Sequence, residues 1–440
     1  MRGGRIRQQP DRIAGVDLLR GLAILFVILN HVNIRLRIAR VPFTQGLPDQ
    51  LVSFLFWNGQ RAVQMFFALS GFLITSTSLR RWGSPSGIGI TDFYKLRFAR
   101  IAPLMLALLL VLTTLHFLGV SYYVVQPRTG GIGRALLAAL TFHVNVLEAT
   151  RGYLPANWDI LWSLSVEEVF YLCFPLVCYI FGAGRGLTAL LCGLVILGPF
   201  GRTIFARGNE VWHEYSYIGG MDAIALGCLT ALVLSRHPLP TTWRTAVGIA
   251  GGLLLAFSFC FSQQAASWGL GKTGLDMTVV ALGACMVSAA SSASDWIAPG
   301  FLKPLLGFGR RSYEIYLTHV FVVFIFLAAF VRLNKPSTLV PVYFVVSVII
   351  SGILGEAAAR FYSEPMNRWV RRDRSYTILH PAPSTLPSSP DCPIRSTCVQ
   401  QSDVERRCLH QHSLQRVVRA AYIHAPHGAG LIAVREASLA

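Results

Sequence analysis

The feature that most constrains this chain is the recurrence of apolar stretches of about 20 residues, each long enough to span a bilayer, from Val16 to Arg360, with short polar joints between them. Apolar residues make up 53% of the 440 positions and charged ones only 14%, and mean hydropathy is +0.51. That is far more oil than one soluble core can hide, so the bilayer has to act as solvent. The expected fold is all-α: a polytopic integral membrane helix bundle of about ten transmembrane helices, with the N- and C-termini cytoplasmic.

Candidate spans fall at 15–34, 62–80, 101–120, 160–181, 187–206, 217–235, 244–262, 274–292, 312–332 and 339–360. A shorter apolar segment, 134–148, is ambiguous. If it does not cross, Arg80 to Arg100, Arg185, Arg236, Lys303 to Arg311 and Arg360 to Arg374 all fall inside. About 20 basic residues are then cytoplasmic and about 12 external, as the positive-inside rule demands. If it crosses, the Arg-rich 368–374 stretch moves to the outer face, so ten spans are expected. Arg35, Arg37 and Arg40 fall on the outer side in this register and run against it. The formal charge of +18 is read as topology rather than as a nucleic-acid footprint.

The N-terminus, with Arg2, Arg5, Arg7 and Arg12 before the first apolar run, has the polarity of a signal peptide. The run holds Arg20 and His31 and no small-residue cleavage pattern follows, so an uncleaved anchor is expected. Residues 1–14 form a cytoplasmic N-terminus and 15–371 the transmembrane domain. From about Ser375 a Pro/Ser/His/Arg-rich stretch begins that cannot bury enough apolar surface to fold alone, so 372–440 is expected to be a disordered cytoplasmic tail. Six of the nine cysteines lie inside apolar segments without metal-type spacing and are read as small buried hydrophobes, and no metal site is expected.

An ionisable side chain within a span costs several kcal/mol unless it is paired or lines a wet cavity, which makes each one a candidate site residue. Asp17, Arg20 and His31 share one helical face, because eleven residues at ~100° each return to within about 20° of the start. Arg20 and His31 then lie roughly 16 Å apart along the axis, placed to line one passage; a histidine snorkelling at the interface is the alternative. Arg97 and Arg100, in Phe93-Tyr94-Lys95-Leu96-Arg97-Phe98-Ala99-Arg100, present two guanidiniums on one face, a fork that suits phosphate. Basic clusters also flank the cytoplasmic ends of many spans, and spacing alone does not separate the two readings. Trp162-Ser163-Leu164-Ser165-Val166-Glu167-Glu168 puts two carboxylates at the mouth of a span, with a structural ion pair as the rival reading. Asp222, then Tyr313, Glu314, Tyr316 and His319, and finally Glu364 repeat the theme further along the chain.

Taken together and in order, these segments resemble the membrane acyltransferase-3 family, polytopic enzymes that O-acylate sugars and other hydroxylated compounds, over roughly residues 11–370. Asp17-Leu18-Leu19-Arg20-Gly21 running on to His31 resembles its opening signature, and Phe66-Phe67-Ala68-Leu69-Ser70-Gly71-Phe72 its second-span motif. Arg97-Phe98-Ala99-Arg100 is similar to its RxxR element, implicated in acyl-CoA use, and Trp162-Ser163-Leu164 with Glu167 to WSL-x-x-E. Gly220-Met221-Asp222, Ser312-Tyr313-Glu314 through His319, and Ser363-Glu364-Pro365 resemble three later elements. Any one alone would be weak; the ordered series carries the resemblance. Two departures stand out. Gly220 sits where a basic residue often precedes the family's Asp, which puts a salt bridge to Asp222 in doubt. No hydrolase-like extracytoplasmic domain follows the last span, which suggests a stand-alone enzyme.

The resemblance implies transfer of an acyl group, acetyl by default, from acyl-CoA (acetyl-CoA) to a hydroxyl. The acceptor class is a glycan, a lipid-linked sugar or a secreted metabolite, and the setting a multi-pass protein in contact with membrane lipids of the cell membrane, a bacterial inner membrane. Acyl transfer needs a base of near-neutral pKa, an oxyanion stabiliser and a grip on the donor. His31 is the expected base, with Arg20, Glu167 and Glu364 as the other catalytic candidates. Arg97 and Arg100 are expected to hold coenzyme A phosphates, and Asp222, Tyr313 and His319 to bind substrate. Arg35, Arg37 and Arg40 are alternatively placed in an acceptor-facing vestibule. The rival class is a transporter or flippase for a sugar-containing or lipid-linked substrate, which would also set Arg, His and Glu along a midplane route.

Overall fold

A computed structural model of the chain describes residues 12–292 and 298–371; the expected N-terminal segment up to residue 11 and the tail from residue 372 lie outside the described residues. Among the described residues, ten helices are long and apolar enough to cross a membrane. We label their helical cores α1 (Ala14–Ile38), α2 (Gly59–Trp82), α3 (Ile90–Phe117), α4 (Leu161–Phe181), α5 (Arg185–Arg202), α6 (Tyr217–Arg236), α7 (Thr241–Cys260), α8 (Leu275–Ser292), α9 (Ser312–Arg332) and α10 (Val340–Ala358). Hydrocarbon offers no partner for a bare N–H or C=O, and a helix satisfies both within its own segment.

The ambiguous 134–148 segment does not form one span. It is divided between two helices, Gly131–Leu140 and Val144–Arg151, with Phe142 between them at φ 57°. At 1.5 Å per residue these are about 15 and 12 Å long, against a hydrocarbon core of ~30 Å. The packing of α1 against α9 bears on the same point. Arg20 hydrogen-bonds Ser312, His31 meets His319 edge to face, and Arg35 lies over Phe324. Residue numbers rise together along both helices, so α1 and α9 are parallel. The first and ninth of ten successive crossings run the same way, whereas an eleventh span at 134–148 would reverse α9.

One boundary differs in a way that matters. Helix α3 begins at Ile90, well before the expected 101, so Arg97 and Arg100 lie inside a helix rather than in a joint. The charges of Asp92, Lys95, Arg97 and Arg100 depress the local hydropathy, although the helix runs straight through them.

Bundle helices lack a hydrophobic drive toward one another in lipid, so close backbone approach has to hold them. At the α2–α6 crossing a Cβ on Gly71 would stand 1.9 Å from the Ile224 carbonyl oxygen, and one on Gly227 would stand 2.1 Å from that of Ala68. Neither position admits a side chain.

Candidate active site

Helices α1, α2, α3, α4 and α9 enclose a cavity of about 170 Å³ whose polar walls are Arg20, Ser70, Arg97, Arg100, Ser163, Glu167, Tyr171, Ser312, Tyr313 and Tyr316. Each group is held from its own helix. Arg20 on α1 donates through Nε to Ser312 Oγ at 3.0 Å, which fixes its fork across the α1–α9 seam. On α4, Glu167 and Tyr171 stand one turn apart, and Tyr171 OH donates to Glu167 Oε1. Ser70 on α2 hydrogen-bonds both of them. Ser163 and Tyr316 share a 2.7 Å hydrogen bond across α4 and α9.

The two α3 arginines are brought together on this wall but differ in commitment. Arg97 lies against aromatic faces, 4.7 Å from the Tyr171 ring centroid and 5.9 Å from that of Phe93. Arg100 packs over Tyr313 and forms a 3.2 Å ion pair with Glu314, whose side chain is wholly buried. Arg100 therefore neutralises a buried carboxylate, and Arg97 is the less committed guanidinium. Two or three cations around a small polar cavity are suited to an oxyanion or a phosphate.

His31 does not line this cavity. The Tyr316 and His319 rings fill the space between: Tyr316 is on the cavity wall, its ring centroid lies 5.8 Å from that of His319, and His319 lies 5.0 Å edge-on from His31. The expected open passage joining Arg20 to His31 is replaced by this file of rings, because α9 runs parallel to α1 and inserts its aromatic side chains. His319 Nδ1 sits 2.7 Å from the Tyr316 carbonyl and 3.1 Å from that of Ile315. Carbonyl oxygens only accept, so Nδ1 carries the proton in neutral His319 and Nε2 keeps its lone pair. Among the described residues, that Nε2 and the Nδ1 of His31 are both buried without a hydrogen-bond partner.

Two expected site residues lie elsewhere. Asp222 is buried at a junction of four helices, where Arg202 of α5 grips it with bonds of 2.7 and 3.0 Å. Thr278 of α8 and Gln64 of α2 also donate to it. The salt bridge put in doubt by Gly220 is present, supplied from a neighbouring helix rather than from the preceding residue. Glu364 pairs with Arg311, which also binds Glu356 at 2.8 Å. Hydrogen bonds donated to these carboxylates, that to Glu356 foremost, hold Arg311 above its ordinary pKa. Neither Asp222 nor Glu364 lines the cavity, and each is paired with an arginine. Ser70 and Ser312 stand within the motifs quoted above without being among the expected site residues, and Tyr171 lies just beyond one of them, where its i+4 spacing from Glu167 is the available signal.

A second polar cluster occupies the Arg35 end of α1. Glu148 is fully buried and accepts from Leu154 N at 3.0 Å. Burial, with the nearby Asp159 carboxyl, pushes its pKa well above the usual carboxylate range.

Residues 13–356 match the model of the acyltransferase domain family, three-quarters of the chain and every helix that builds the cavity. The chain belongs to that acyltransferase family. It is 24% identical over 375 residues to the O-acetyltransferase OatA of Staphylococcus aureus, an alignment covering 82% of this chain and 58% of that protein. It is 25% identical over 381 residues to the peptidoglycan O-acetyltransferase OatA of Listeria monocytogenes, covering 82% of this chain and 57% of that one. The chain thus spans less than three-fifths of the length of these curated relatives. No solved structure matches it.

Proposed function

We propose that this acyltransferase moves an acetyl group from cytoplasmic acetyl-CoA to a hydroxyl of a carbohydrate on the opposite side of the cell membrane. The observation that carries this reading is the convergence of Arg20, Arg97 and Arg100 with the Ser70–Glu167–Tyr171 cluster in one cavity, a short file of rings away from two contacting histidines, each with one buried ring nitrogen left without a partner among the described residues. The family supports the chemistry, and the relatives' names, O-acetyltransferase and peptidoglycan O-acetyltransferase, support acetyl as the group and a glycan as the acceptor.

In this reading Arg97, assisted by Arg100, grips coenzyme A phosphate. The cationic end of the bundle, at the start of α1, faces the cytoplasm in keeping with the positive-inside rule. Arg20, held by Ser312, steadies the pantetheine arm of the donor within the cavity. The thioester carbon reaches the histidine pair by displacing the Tyr316 ring. His31, with His319 beside it, takes the acceptor hydroxyl proton as the C–O bond forms. The C–S bond then breaks, and the imidazolium returns the proton to the coenzyme A sulfur. Glu167 acts from the wall, ordering Tyr171 and Ser70.

Mass spectrometry of surface glycans and secreted metabolites from cells with and without the protein tests the function. The expected result is a mass increment of one acetyl group that depends on the protein. No increment in any fraction, together with uptake or flipping that needs no acetyl-CoA, would favour the transporter.

A further inference from the structure

A second cavity, of about 300 Å³, opens at the Arg35 end of α1 and is lined by Arg35, Tyr122, Gln126, Arg128, Tyr153 and Phe324 among others. It lies on the same two helices as the first. Arg20 and Ser312 mark the first cavity, Arg35 and Phe324 the second, and His31 and His319 sit between them. His31 and Arg35 are four residues apart, about 6 Å along one face of α1.

The walls of this cavity are cationic and aromatic. Among the described residues no carboxylate lines it. The Arg35 guanidinium packs over Phe324 at 4.6 Å, and its Nε is buried without a hydrogen-bond partner. Behind Arg35 stands Asp159, but that carboxyl faces buried Glu148. The Asp159 carboxyl lies behind the wall rather than on it, so the lining itself presents the guanidiniums of Arg35 and Arg128. A buried guanidinium with an unmet donor is costly and calls for an acceptor. Tyr122 and Tyr153 are exposed at 40% and 54%, so the cavity offers aromatic surface of the kind sugars pack against.

We propose that this cavity is an acceptor subsite selective for a hydroxylated sugar that carries an oxyanion, a carboxylate or a phosphate, and that Arg35 and Arg128 hold that anion. The proposal rests on the acyltransferase reading above, and names the acceptor class for it. The anion at Arg35 would set a hydroxyl of the same sugar beside His31.

The test is equilibrium titration of the purified full-length protein in lipid nanodiscs with three probes. N-acetylglucosamine is neutral, N-acetylmuramic acid is the same ring with a lactyl carboxylate, and N-acetylglucosamine 1-phosphate carries a phosphate. At least one anionic probe should bind about tenfold tighter than the neutral sugar, the size of one charge-assisted hydrogen bond. Which of the two does so distinguishes carboxylate from phosphate. Arg35→Gln and the exposed Arg128→Gln should each shrink that preference. Equal binding of all three probes, no binding of any, or an undiminished preference in both variants would overturn the proposal. Acetyl-CoA titrated into the same preparation separates the two readings. If it fails to bind, the donor reading falls; if it binds while the sugars are not discriminated, only the subsite falls.

Discussion

At the scale of single residues, His319 is oriented by its own helix: the carbonyls of Ile315 and Tyr316 fix the proton on Nδ1 and free Nε2. In the proposed mechanism the base for the acceptor hydroxyl is drawn from this contacting pair, His31 and His319. His31→Ala should lower kcat for acetyl transfer by about two to four orders of magnitude, the usual worth of a positioned base, with insertion and acetyl-CoA affinity kept. The two arginines should separate. Arg97→Ala should raise KM for acetyl-CoA about tenfold or more and leave thermal unfolding unchanged. Arg100→Ala should also lower the unfolding temperature, because it strands Glu314, which is wholly buried. Glu148 supplies a pH dependence. Its folded pKa is raised, so the associated stability is fully present below the unfolded value of 4.5 and is lost as pH climbs toward the folded pKa. Glu148→Gln should flatten that loss in unfolding curves taken from about pH 5 to 8.

At the scale of helices, α5, α6, α8 and α2 are tied together by the Arg202–Asp222 pair, whose side chains are 4% and 0% exposed. Removing one partner leaves an uncompensated charge, so Asp222→Ala should cost about 3–5 kcal/mol. Replacing both by leucine should cost much less, and unfolding in detergent distinguishes the two. The spans themselves were legible because apolar length is a direct requirement of the bilayer. The start of α3 was not, since Arg97 and Arg100 lower hydropathy without interrupting helix. The partner of Asp222 was not legible either, since Arg202 lies twenty residues upstream on another helix. Neighbours of Gly220 in sequence carried no hint of it. The approach of His319 to His31 follows from the parallel packing of α1 and α9, which no local pattern encodes.

At the scale of the whole molecule, two cavities sit toward opposite ends of the α1–α9 pair, with the histidines between. Parallel α1 and α9 need an odd number of crossings between them, which the seven helices α2 to α8 supply. Topology reporters fused after Gly119 and after Gly152 should report the same side of the membrane, since the helices between them are too short to cross; opposite sides would mean an eleventh span and an antiparallel α9. The most direct measurement of the central claim is acetyl transfer and acetyl-CoA binding by the purified protein in nanodiscs, comparing the parent with His31→Ala and Arg97→Ala. Loss of transfer with donor binding retained in His31→Ala, and weakened donor binding in Arg97→Ala, is the expected result. A fully active His31→Ala, or acetyl-CoA binding indifferent to Arg97, would contradict a donor cavity that feeds a histidine base.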